Sequence, residues 1–92
     1  MIVGSLKTRL LVRESQSLKD KRQVVRSILD RLRTQFNVAA AEVEARDHRQ
    51  LVVLGFAAVG EEARDVREVL DKIVSALRSH PVAEFLDHEL EA

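Results

Sequence analysis

The apolar residues of this chain recur at a period of two over Ile2 to Arg13 and then at about 3.6, and the same order of strand and helix signals returns in its second half. From Ile2 to Arg13, the residues Ile2, Gly4, Leu6, Thr8, Leu10 and Val12 form one set, with mostly polar positions between them. A period of two with one apolar set predicts a half-buried strand whose first set faces the core. After the polar connection Glu14-Ser15-Gln16-Ser17, residues Leu18, Val25, Ile28, Leu29, Leu32 and Phe36 fall on one stripe of a helix. Ser17 is the expected N-cap, with Asp20 as the acid of a capping box, and Asn37 is expected to end the helix in left-handed geometry.

A second strand, thin and rich in alanine, is expected over Val38 to Ala45, followed by the polar turn Arg46-Asp47-His48. The third runs from Arg49 to Val59. From Leu51 to Ala58 every position except Gly55 is apolar, which suits a central strand covered on much of both faces. Gly60 is expected to open a second helix, Glu61 to about Ser79, with the stripe Ala63, Val66, Leu70, Ile73, Val74 and Leu77. Glu61, Glu62 and Asp65 suit the positive end of its dipole, and Arg78 and His80 the negative end. Pro81 stops it, and Val82 to Leu90 reads as a last strand.

The order is therefore βαββαβ. Two right-handed split crossovers give an α+β, ferredoxin-like sandwich: a four-stranded antiparallel sheet in the order 4-1-3-2 with both helices on one face. The 92 residues make a single domain, 1-92, with one core and little stability to spare for a strained site.

Composition narrows the function classes. There is no cysteine, so disulfides, thiolate nucleophiles and cysteine-based metal sites are excluded. The N-terminus has no basic stretch followed by an apolar run, and no apolar run approaches the ~20 residues of a membrane span. A cytoplasmic protein without a membrane partner is expected. Net charge is zero but unevenly spread. Residues 1–37 hold nine Lys/Arg against three acids, and residues 38–92 hold six against twelve. Such asymmetry suggests a nucleic-acid or acidic-partner surface, or two halves that neutralise each other in the fold.

Lys19, Arg22, Arg26 and Arg33 lie within about 60° of one another on the first helix, a ridge beside the apolar stripe. Lys21 and Arg31 lie elsewhere on it. A row of cations of this kind can follow the phosphates of a nucleic-acid strand. The plainer reading is a solvated face paired with Asp30 and nearby acids. Strand one adds Lys7 and Arg9 on the face opposite the helices, and Arg13 at its end. The candidate nucleic-acid-binding residues are thus Lys7, Arg9, Arg13, Lys19, Lys21, Arg22, Arg26 and Arg33. For Lys7 and Arg9 the competing expectation is cross-strand pairing with acids of the last strand, such as Asp87 or Glu89.

Tyr and Trp are absent, and Phe56 is the one aromatic of strand three, so base stacking on the sheet is not expected. Structured RNA read by shape and phosphate fits better. An acylphosphatase-like reaction would need backbone amides around a phosphate after strand one. Arg13 is suitably placed, but Glu14 to Ser17 has no glycine and begins with an acid. His48, His80 and His88 are isolated, and Asp87-His88-Glu89 alternates faces, so no metal or other cofactor is expected. The uncovered sheet face carries apolar residues, including Val3 and Leu11, and the sheet edges are free. A homodimer or another protein-interaction module is the alternative.

The stretch Glu14-Ser15-x-Ser17-Leu18-Lys19-Asp20-Lys21-Arg22-x-Val24-Val25 resembles the YlxP-like family of small bacterial proteins. Arg31-Leu32-Arg33, Phe36-Asn37-Val38, Ala41-Glu42-Val43, Met1-Ile2-Val3-Gly4 and Val69-Leu70-Asp71-Lys72 extend the resemblance along the chain. It implies the same ferredoxin-like fold and no established activity. In many bacteria the family's gene lies beside genes for translation initiation and ribosome maturation factors. That setting points to ribosomal RNA or a ribosomal subunit as partner of a non-enzymatic binding protein.

Overall fold

The computed structural model describes residues 1–92. The elements follow in the expected order: β1 (Ile2–Leu11), α1 (Leu18–Gln35), β2 (Ala39–Glu44), β3 (Leu51–Gly60), α2 (Ala63–Arg78) and β4 (Glu84–Glu91). The sheet runs β2-β3-β1-β4, which is 4-1-3-2 read from the other edge, and every pairing is antiparallel. β1 and β3 pair from Ile2↔Gly60 to Leu11↔Leu51 without interruption. β1 is shifted against β4 between Arg9 and Leu10, and β2 against β3 between Glu42 and Glu44.

The core lies between one sheet face and the two helices. Leu6, Leu10 and Val12 meet Val52, Leu54, Phe56 and Ala58 of β3 and the stripes Val25–Leu32 and Val66–Leu77 of the helices. The alternation in β1 sorts its side chains as expected, and even Thr8 is fully buried. α2 packs very close to β1: a Cβ on Gly4 would sit 2.5 Å from Val66 Cγ1. No helix is long and apolar enough to cross a membrane.

Three helix ends differ from expectation. Ser17 Oγ accepts from Asp20 N at 3.1 Å, but the Asp20 carboxylate takes the N–H of Gln16 at 3.3 Å rather than that of Ser17. Asn37 is not left-handed, because α1 ends through an extended Phe36; the positive φ falls at Ala45, after β2. Gly60 closes β3 instead of opening α2, whose N-cap is Glu62 with no side-chain capping bond. At the other end of α2, His80 follows the C-cap Ser79 and its N–H donates to Leu77 O at 3.2 Å. Its Nδ1 accepts from Val82 N and Ala83 N at 3.2 and 3.1 Å, shaping the turn into β4.

Candidate nucleic-acid interface

The eight candidate cations separate by their position in the fold. Lys7, Arg9 and Arg13 lie along β1 and just beyond it, and each finds a carboxylate. Arg9 Nε donates to Asp87 at 2.7 Å, its partner in the ladder. Lys7 Nζ donates to Glu44 of β2 at 2.8 Å. β4 was the expected source of its partner, but the register shift in β2 places Glu44 opposite Val53, beside the Gly55 position that pairs with Lys7. Arg13 Nε donates to Glu84 at 2.6 Å. The charges respond as this geometry requires. The hydrogen bond and charge of Glu44 hold the Lys7 ammonium above its ordinary pKa, and Lys7 in turn holds Glu44 below its own. Asp87 and Glu84 likewise raise Arg9 and Arg13, and Arg9 lowers Asp87. These three cations are neutralised within the molecule.

Lys21 must be removed from the interface. Its side chain is 0% exposed and lies in the core layer beneath α1. The ammonium donates to Ala45 O at 2.8 Å, Leu51 O at 3.2 Å and Arg46 O at 3.3 Å, and lies 3.0 Å from Glu42 Oε2. No ligand phosphate reaches it. The signal for this was present in the sequence. At 100° per residue Lys21 falls between Val25 and Ile28, within the apolar stripe.

Lys19, Arg22 and Arg26 remain exposed on α1 and form no ion pair. Arg33, nearly two turns beyond Arg26, lies 3.6 Å from Asp30 and also donates to the carbonyl of Ala40 on the edge strand. Arg22, Arg26 and Arg33 line an open cleft of about 360 Å³ between α1 and β2, whose far wall holds Ala41, Glu42 and Arg46. Arg46, from the β2–β3 turn, was not singled out by the sequence because that turn carries no pattern linking it to α1. Four arginines thus line one cleft. Glu42 is the sole carboxylate among its lining residues, with Oε1 4.0 Å from Arg46 Nε.

A larger hollow, about 460 Å³, lies on the uncovered sheet face over Ser5, Ala39, Ala41, Gly55 and Ala57. Its charged lining is Lys7, already paired, with Glu89 and Glu91. Its surplus charge is negative, the wrong sign for phosphate. His48 lies away from this hollow, in the β2–β3 turn, where its Nδ1 accepts from the amides of Gln50 and Leu51.

Comparison with known proteins agrees with the architecture. A family model described as "Protein of unknown function (DUF503)" matches residues 3–90. The chain is 29% identical over 83 residues to a protein of Bacillus subtilis (strain 168) named "Uncharacterized protein YlxP", with 90% of each chain covered. Among solved structures, a de novo designed protein with a ferredoxin fold, determined by solution NMR, superposes with a TM-score of 0.60 at 14% identity. The match covers 100% of this chain and 87% of the designed one, and at that identity it shows the fold alone.

Proposed function

Since this chain belongs to the DUF503 family, whose description assigns no activity, we propose from its surface that it is a non-enzymatic protein binding the phosphate backbone of structured RNA through the α1–β2 cleft. The observation that carries this reading is that Arg22 and Arg26 have no internal carboxylate and share one cleft with Arg33 and Arg46. On α1, Lys19, Arg22 and Arg26 are spaced about 4.5 and 6 Å along the helix axis, so they present a short row of cations rather than a point. Arginine forks bind phosphate in two-point fashion. With no Tyr or Trp in the chain, affinity comes from phosphate contact and groove shape rather than base stacking.

Ribosomal RNA within a ribosomal subunit is the partner to test first, and a cytoplasmic location accompanies that reading. Purified subunits titrated at rising salt should bind the protein at low salt and release it steeply. The charge-reversed R22E/R26E variant, with an unchanged far-UV spectrum, should fail to bind. Absence of binding at low salt, or equal binding by the variant, removes the proposal.

The sheet face supports a second reading, self-association. Val3 and Val59 face each other in the β1–β3 ladder and are 61% and 57% exposed, beside the small-residue hollow. Sedimentation at micromolar concentration should then show a dimer that Val59→Glu dissociates; a monomer throughout removes this reading.

A further inference from the structure

We propose that the α1–β2 cleft distinguishes RNA from DNA, with Glu42 accepting a hydrogen bond from a ribose 2′-hydroxyl while the surrounding arginines hold the adjacent phosphates; this rests on the phosphate-binding reading above. A site for phosphate alone has no use for a carboxylate, which repels the ligand and weakens the field of the arginines. Glu42 nevertheless lines this cleft, with a side chain only 9% exposed.

Its two oxygens have different surroundings. Oε2 is fully buried and lies 3.0 Å from the Lys21 ammonium, an ion pair without hydrogen-bond geometry. That contact accounts for one oxygen as part of the fold. Oε1 is on the cleft side, accepts no hydrogen bond, and has only Arg46 Nε at 4.0 Å, beyond bonding distance. An ionised carboxylate is an acceptor only, so the group that completes Oε1 must be an O–H or N–H donor. It must also arrive on a ligand whose phosphates sit beside it, on Arg22, Arg26 and Arg46. The ribose 2′-hydroxyl meets both conditions at every nucleotide, and it is the group by which a protein separates RNA from DNA.

The test is fluorescence anisotropy of one end-labelled hairpin in three chemistries: RNA, 2′-fluoro RNA and DNA of the same sequence. The 2′-fluoro form keeps the RNA-like helix but has no donor. Unaltered protein should bind RNA about tenfold more tightly than the 2′-fluoro form, as expected for one hydrogen bond to a charged group. Glu42→Met should bind the two equally. If Glu42→Met does not fold, K21M/E42M, which removes both buried charges together, carries the same expectation. Equal binding of RNA and 2′-fluoro RNA by unaltered protein overturns the inference and leaves phosphate binding standing. A preference that survives loss of the carboxylate overturns the role of Glu42. Failure to bind any of the three overturns the phosphate reading itself.

Discussion

Lys21 anchors α1 to the β2–β3 turn. The three carbonyls around its ammonium belong to Ala45, Arg46 and Leu51, and Ala45 is held at φ 55, the left-handed region that alanine enters at a cost. A buried ammonium is tolerated only with a countercharge and a full set of acceptors, and Glu42 and the turn supply both. Removing the ammonium leaves buried Glu42 without its countercharge and the carbonyls without their donor, so Lys21→Ala should lower stability by about 3–5 kcal/mol in urea unfolding. K21M/E42M should lose less than the sum of its single changes, the non-additivity of one shared interaction. The sequence held this information in the angle of Lys21 on the helix, and grouping the residue by its charge concealed it. His80 makes a second prediction at this scale. Burial, with a smaller contribution from the charge of Arg31, holds its pKa below the ordinary histidine value, and its neutral Nδ1 accepts two backbone amides. The unfolded chain therefore binds a proton at higher pH than the folded one. The contribution is present above the unfolded pKa of about 6.5 and is lost as pH falls toward the lower folded value. The melting temperature should drop between pH 7.5 and 5 more in the native protein than in His80→Gln, and equal drops would remove His80 from the account.

The close approach of α2 to β1 depends on the missing side chain of Gly4. A Cβ there would meet Val66 Cγ1 at 2.5 Å, Leu70 Cδ1 at 3.1 Å and the backbone oxygen of Glu91 at 3.1 Å. Val66 and Leu70 are core residues, and the carbonyl belongs to the neighbouring strand, so nothing in the contact yields freely. Gly4→Ala should destabilise by about 1–3 kcal/mol through overpacking, read as a lower denaturation midpoint at unchanged m-value. If the midpoint stays put, the helix–strand spacing is looser than this contact requires. Gly4 was legible as a core-facing position of β1, but its need for a bare backbone was not, because that need comes from Val66, 62 positions along the chain. The same distinction runs through the other elements. Strand and helix identity followed from the period of apolar residues, which is a local property. The partner of Lys7 did not, since it depends on the register shift that brings Glu44 opposite Val53. Helix ends were legible where a side chain caps the backbone, as at Ser17, and not where the chain ends a helix by extended backbone, as at Phe36.

At the scale of the whole molecule, the fold divides the cations of the basic first half into a paired set and an unpaired set. Lys7–Glu44, Arg9–Asp87, Arg13–Glu84 and Lys21–Glu42 each join a cation of the basic first half to an acid of the acidic second half. The rest of the surplus stays on α1, on the helical side of the sheet, while Lys7 and Arg9 occupy the uncovered side. With zero net charge, the protein has no long-range attraction for RNA as a whole body, so the RNA affinity proposed above would have to come from this local strip. The two sets of cations should therefore behave differently in one measurement, the slope of log affinity against log salt. Each phosphate contact contributes about 0.7 to 0.9 to that slope. R22A/R26A removes two unpaired guanidiniums from the cleft and should reduce the slope by about 1.4 to 1.8, along with the affinity at low salt. K7A/R9A removes the same number of positive charges, but from groups already matched by Glu44 and Asp87, and should leave slope and affinity close to native. If the two double variants weaken binding alike, RNA responds to total charge and the cleft has no special part in recognition. If K7A/R9A is the more damaging, the interface lies on the uncovered sheet face and the arginines of α1 are a solvated helix surface.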